Sequence, residues 1–173
     1  MDARINIKIF LKTVILFPLF MIFIMFPLCL LIVITAFVPK GRVLATKLYE
    51  FFGWIGIVLV GVELNVIGAE KIDTKKSYVV IGNHPSTLDI FTHITALPVS
   101  IRFLTKTELF RIPIFGRVLK TLGLPRIDRK NAKANFEKIN DSINQVIKLG
   151  NSIMIFPEGK RSNQKELLPF KKG

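Results

Sequence analysis

The stretch Tyr78-Val79-Val80-Ile81-Gly82-Asn83-His84-Pro85-Ser86-Thr87-Leu88-Asp89 decides how the rest of the chain is read. It opens with a short apolar run that reads as a strand and leads into a segment of helical periodicity, about Leu88–Leu97. The spacing therefore predicts a strand-to-helix turn around His84. On a regular helix His84 and Asp89 would not share a face, because five residues rise about 7.5 Å. The two meet only if His84 lies in the turn and Asp89 in the first turns of the helix. Pro85 agrees with that geometry, since proline is favoured at a first helical position. Asp89 then accepts a hydrogen bond from one ring nitrogen of His84, which fixes the tautomer and leaves the other nitrogen as a base. A lone pair of this spacing is more often a buried histidine in a capping network, so its surroundings decide its meaning.

From Glu63 onward the pattern is α/β. Strand-like runs occur at Glu63–Ile67, Tyr78–Ile81, Ser100–Leu104, Leu122–Ile127 and Ser152–Phe156, alternating with helical stretches at about Leu88–Leu97, Ile112–Leu122 and Asn131–Leu149. In the last of these Phe136, Ile139, Ile143, Val146 and Ile147 form one apolar stripe, expected to be core packing. The division expected is an apolar helical anchor over residues 1–62 and an α/β domain over 63–173.

The anchor reading begins with composition. In 173 residues half are hydrophobic, yet the formal charge is +13 and the mean hydropathy is +0.46. Apolarity joined to positive charge points to a membrane surface or a phospholipid-like substrate. Nucleic acid is not the expected partner, because no basic tail, zinc knuckle or RNA-binding aromatic motif accompanies the charge. The single cysteine, Cys29, excludes a disulfide framework and a cysteine-based metal site. Thr13 through Val38 carries no charge, and as one helix it would span about 39 Å, more than the hydrocarbon core of about 30 Å requires. Pro18 and Pro27 interrupt this run, and both flanks are basic, with Arg4, Lys8 and Lys12 before it and Lys40, Arg42 and Lys47 after. A second uncharged run, Phe51 to Val62, is too short to cross alone. A transmembrane helix and a one-leaflet helical hairpin turning at Pro39-Lys40-Gly41 both remain open.

A second constellation is Ile153-Met154-Ile155-Phe156-Pro157-Glu158-Gly159-Lys160-Arg161-Ser162. A buried strand stops at Pro157, and Glu158, Lys160 and Arg161 project at its carboxyl end, where open α/β sheets place ligands. Arg161 or Lys160 suits a phosphate. Further charges follow other strand ends: Lys106 and Glu108, and Asp128 and Arg129. No Gly-x-Ser-x-Gly elbow is present, and Ser86 reads as a local cap. A base without an enzyme nucleophile activates a hydroxyl or water brought by the substrate.

Taken in order, Asn83-His84-x4-Asp89, Lys106-x-Glu108-Leu109 with Ile112-Pro113 and Gly116, Ile127-Asp128-Arg129, and Phe156-Pro157-Glu158-Gly159-x-Arg161-Ser162 resemble the glycerolipid acyltransferases, the 1-acylglycerol-3-phosphate type in particular. The resemblance covers about residue 78 to the end of the chain. It implies a mixed sheet flanked by helices behind an apolar amino-terminal anchor, with His84 and Asp89 catalytic and no metal or cofactor. It further implies that Lys106, Arg129 and Arg161 contact the acceptor's phosphate while Glu158 and Gly159 shape its glycerol site. The acceptor implied is lysophosphatidic acid, acylated at its free sn-2 hydroxyl to give phosphatidic acid, with another lysophospholipid or glycerol-3-phosphate as the alternative, and the co-substrate is an acyl-CoA or acyl carrier protein thioester. The location implied is a bacterial-type inner membrane, with the catalytic domain on the cytoplasmic face.

Two departures stand out. Lys160 occupies a position where the family usually has threonine. Phe170-Lys171-Lys172-Gly173 resembles a segment that in relatives leads into further strands, so the sheet is expected to be incomplete and the chain carboxyl-terminally truncated. Two other classes remain as alternatives: a metal-dependent hydrolase using His84, Asp89 and His93, and a non-catalytic binder of anionic lipid.

Overall fold

A computed structural model describes residues 14, 15, 18–128, 131, 134–161 and 167–170. The uncharged run forms helix from Pro18 to Thr35. It widens into a π-turn at Met21–Met25 and continues as α1, Phe26–Thr35. Pro27, which has no N–H to give, follows closely on that π-turn, where the regular helical ladder is already interrupted. The chain then reverses over residues 36–40 into α2, Gly41–Val60. Gly41 makes that reversal possible: a Cβ there would stand 1.7 Å from the Thr35 carbonyl oxygen. The second apolar run is thus longer than its uncharged part, because the helix begins at Gly41 and carries Arg42, Lys47 and Glu50 on its early turns. Pro18–Thr35 and Gly41–Val60 are each long and apolar enough to cross a membrane, and only about a quarter of each is buried within the protein.

The α/β part is built on β1, Val79–Ile81; α3, Asp89–Ala96; β2, Ile101–Phe103; β3, Thr105–Lys106; a 3-10 turn, Thr107–Arg111; α4, Phe115–Thr121; β4, Arg126–Ile127; α5, Phe136–Lys148; and β5, Ser152–Ile155. Strands β1, β5 and β2 form one sheet in that order, with β5 central, and β3 pairs with β4 in a second. Every pair described is parallel, where a mixed sheet was expected. Parallel pairing sends the chain through a helix after β1 and again before β5, and it places the carboxyl ends of the three larger strands on one edge.

The core passes through the hairpin and the sheet without a break. Leu28, Cys29 and Ile32 of α1 and Ala45 and Tyr49 of α2 belong to the same buried cluster as Ile94, Ile101, Phe103, Val118 and Met154. Two glycines on α2 let α3 approach: a Cβ at Gly53 would meet Ile94 at 2.5 Å, and one at Gly56 would meet Phe91 at 2.1 Å. Arg102, buried in β2, locks the same contact. It donates from Nε to the Leu122 carbonyl at 2.8 Å, from Nη1 to Ser100 and the Ile101 carbonyl, and from Nη2 to Thr46 of α2 at 2.7 Å. Burial pulls its pKa below the ordinary arginine value, opposed by the neighbouring Tyr49 and Glu50.

Four segments differ from expectation. Glu63–Ile67 is irregular, with no ladder partner among the described residues. Its period-2 pattern specifies a face but not an edge to pair with. The helix expected over Ile112–Leu122 begins only at Phe115, because Pro113 and the left-handed Ile114 (φ 64°) interrupt it. It ends at Thr121, and a turn at residues 122–123 takes the start of the expected Leu122–Ile127 strand, leaving only Arg126–Ile127 paired. On α5 Val146 is buried, whereas Phe136 is 61 % exposed and Ile147 is also open, so its stripe is only partly core.

Candidate functional site

The first constellation forms at the carboxyl edge of the sheet. β1 ends at Ile81, and the Gly82 N–H still donates to the Ile155 carbonyl of β5 at 3.2 Å. The chain then loops irregularly until α3 begins at Asp89. Pro85 is therefore not the first helical residue, as its sequence position suggests; it lies in the loop, where it keeps His84 out of the helical region. Ser86 caps locally, its Oγ accepting the Leu88 N–H at 3.1 Å.

Asp89 is 8 % exposed and organises the loop. Its Oδ2 is 2.7 Å from His84 Nδ1 and accepts the Ser86 N–H at 2.9 Å. With a carboxylate at Nδ1, that nitrogen carries the proton, and Nε2 is left with its lone pair for a substrate proton. The His84 ring lies flat on Phe156, with centroids 4.1 Å apart and planes 9° from parallel. Phe156 is the residue after β5, so the strand that carries the second constellation also backs the base.

The second constellation folds onto the same loop. Arg161 Nη1 donates to Thr87 Oγ1. Gly159, in the left-handed region at φ 69°, closes a turn in which its N–H donates to the Phe156 carbonyl at 3.0 Å. Glu158 is not displayed to solvent: it is 3 % exposed, and its Oε2 accepts the Leu168 N–H at 3.1 Å. Lys106 is exposed and in register with Ile127, so it stands beside the strand leading to Asp128. Arg129, the remaining cation of the expected set, lies outside the described residues, as does Ser162.

The site thus joins His84, Asp89, Thr87, Phe156 and Arg161. Thr87 and Phe156 carried no expected role. Phe156 was signalled only by its place at a strand end beside Pro157 and at the head of the Phe156-Pro157-Glu158-Gly159 block, and nothing signalled Thr87, which meets a residue 74 positions away.

His93 does not join the pair as a third ligand. Its Nδ1 donates to the Asp89 backbone carbonyl at 2.6 Å, and no cluster of three metal-ligating side chains occurs among the described residues. What remains is a carboxylate-oriented imidazole beside an arginine, next to two apolar helices. An imidazole held this way can accept a proton from a hydroxyl.

The comparisons agree in direction. The solved structure of the 1-acyl-sn-glycerophosphate (LPA) acyltransferase PlsC from Thermotoga maritima superposes with a TM-score of 0.71 at 24 % identity, covering 99 % of this chain and 68 % of that one. Proteins described as 1-acyl-sn-glycerol-3-phosphate acyltransferase match in sequence. The one from Cocos nucifera is 35 % identical over 78 % of this chain and 44 % of its own length. Those from Saccharomyces cerevisiae and Borreliella burgdorferi are also 35 % identical, over 67 % and 69 % of this chain and 39 % and 47 % of theirs. The chain thus spans less than half the length of these curated relatives. Residues 63–173 match the Acyltransferase family model, which is most of the chain, and the chain belongs to that family.

Proposed function

We propose that this chain carries the acyl-transfer centre of a 1-acyl-sn-glycerol-3-phosphate acyltransferase, moving an acyl group from a coenzyme A or acyl carrier protein thioester to the free sn-2 hydroxyl of lysophosphatidic acid, giving phosphatidic acid. The observation that carries it is the 2.7 Å contact between His84 Nδ1 and Asp89. His84 Nε2 removes the hydroxyl proton as the oxygen attacks the thioester carbonyl. Asp89 holds the ring and stabilises the imidazolium that forms. The tetrahedral adduct collapses by breaking the carbon–sulfur bond, and the imidazolium returns its proton to the thiolate.

Arg161, with Lys106 and Arg129, binds the acceptor's phosphate. Glu158, fixed by Leu168, holds the turn that places Arg161. The hairpin of α1 and α2 docks the enzyme in the cytoplasmic leaflet, where acceptor and product reside; two long, mostly exposed apolar helices support docking to a membrane.

The test is thioester-dependent acylation by membranes carrying the full-length protein, assayed with lysophosphatidate, glycerol-3-phosphate and a neutral lysophospholipid. Lysophosphatidate is expected to be the preferred acceptor, with activity lost in His84→Ala. Equal acylation by wild type and His84→Ala would overturn the mechanism.

A further inference from the structure

A cavity of about 380 Å³, none of whose lining residues belongs to the His84 site, forms where the 3-10 turn Thr107–Arg111 meets α4. Arg111, Arg117 and Lys120 line it together with Phe110, Ile112 and Pro113. All three cations are exposed, and among the described residues none is ion-paired with a carboxylate. Three positive groups held around one concavity repel one another, so an arrangement without acidic partners favours an anion.

The backbone holds the two cationic segments together at a cost. Ile114, β-branched, sits at φ 64°, ψ −59°, in a tight turn whose Phe115 N–H donates to the Pro113 carbonyl at 2.6 Å. Gly116 permits the close approach, since a Cβ there would be 2.2 Å from the Phe110 carbonyl oxygen. Strain of this kind persists where the surroundings impose it, and binding loops are a common place for it.

The neighbourhood identifies the kind of anion. Val118 and Leu122, on and just after α4, are buried in the same cluster as Leu28 and Ile32 of α1. The other side of α1 presents Phe26, Leu30, Leu31 and Ile34 to the outside. Ile112, in the cavity wall, is itself 47 % exposed. The cavity is therefore lined by cationic and apolar side chains together, and it is set beside a helix long and apolar enough to enter a bilayer.

We propose that Arg111, Arg117 and Lys120 form a binding site for the phosphate headgroup of an anionic bilayer phospholipid, separate from the His84 centre and independent of the reaction carried out there. A bound headgroup would fix the rotation of the hairpin in the bilayer and, through the loop after Lys106, the height of the sheet edge above it. Phosphate is shared with free coenzyme A, so the test separates the two.

Purified full-length protein is measured for binding to phosphatidylcholine vesicles with and without phosphatidylglycerol, in parallel with free coenzyme A. The comparison is between wild type, Arg111→Gln/Arg117→Gln/Lys120→Gln, and the control Lys71→Gln/Lys75→Gln/Lys76→Gln. The control makes the same charge change on the chain that leads into β1, at the opposite end of the sheet. The preference for anionic over neutral vesicles is expected to fall about 100-fold in the first variant, near fivefold per cation, and less than about threefold in the control. Binding to neutral vesicles, driven by the hairpin, is expected to be unchanged in both. Equal losses in the two triples would overturn the proposal in favour of net charge alone. Loss of coenzyme A binding with the vesicle preference retained would overturn it in favour of a soluble phosphate site.

Discussion

Two histidines lean on one aspartate, and they do so by different atoms. His84 Nδ1 reaches the Asp89 carboxylate at 2.7 Å, whereas His93 Nδ1, one helical turn beyond Asp89, reaches its backbone carbonyl at 2.6 Å. Both rings touch Phe156, His84 face to face and His93 edge-on at 5.7 Å. A carboxylate can stabilise a positive imidazole as it forms; a helical carbonyl that also accepts from Thr92 offers only a partial charge. The difference teaches that proximity to an acid does not make a base. The atom that is offered decides.

The sharpest way to break this comparison is to remove the base. His84→Gln keeps a planar polar side chain against Phe156 but cannot take a proton, and acylation is expected to fall about 10³- to 10⁴-fold. Turnover under single-acceptor conditions measures it, with a thermal melt showing that the fold persists. A loss under tenfold would mean that the hydroxyl is activated elsewhere.

Asp89→Asn tests the carboxylate next. The amide cannot stabilise an imidazolium, and the loss is expected at about 10²- to 10³-fold. Part of that loss is local, since Oδ2 also accepts the Ser86 N–H. Ser86→Pro removes that N–H, and with it the Oγ that caps Leu88, while leaving the charge; it is expected to cost much less than Asp89→Asn, and equal losses would assign the effect to loop geometry.

Arg161→Gln ranks third. The arginine is tied to Thr87, on the loop of the base, and removing its charge is expected to raise the KM for an anionic acceptor about tenfold, as loss of one charge-assisted hydrogen bond does. A matching drop in kcat with KM unchanged would make Arg161 a loop brace rather than a phosphate ligand.

How much of this was legible in the sequence follows from range. Val79–Ile81 and Ser152–Ile155 were readable as strands because they are short, apolar and stopped by Gly82 and Pro157, although only the second is buried. The His84–Asp89 contact was readable because both residues belong to one local turn. The stack of His84 on Phe156 and the bond from Arg161 to Thr87 were not, since they depend on which strand lies beside which. Arg102 was not legible either. A charge within an apolar strand carries no mark of burial, and only the packing of α2 over β2 shows that it cross-links the hairpin to the sheet. Glu63–Ile67 has strand alternation but no described partner, which a local pattern cannot supply.

The smallest expected effect is at His93, and it sharpens the comparison from the other side. His93→Gln retains a donor that can reach the Asp89 carbonyl, while removing the ring from the edge of Phe156 and from beside Gly82, where a Cβ would be 3.2 Å from Nε2. A half-buried histidine with one neutral hydrogen bond and one aromatic contact is worth about 1–2 kcal/mol. The variant is therefore expected to unfold at lower denaturant while its kcat stays within about threefold of wild type. The two histidines then separate on two axes: His84→Gln spares stability and abolishes turnover, and His93→Gln does the reverse. If His93→Gln instead matched His84→Gln in turnover, Asp89 would be serving both rings as one proton-handling unit, and the distinction between carboxylate and carbonyl would fail.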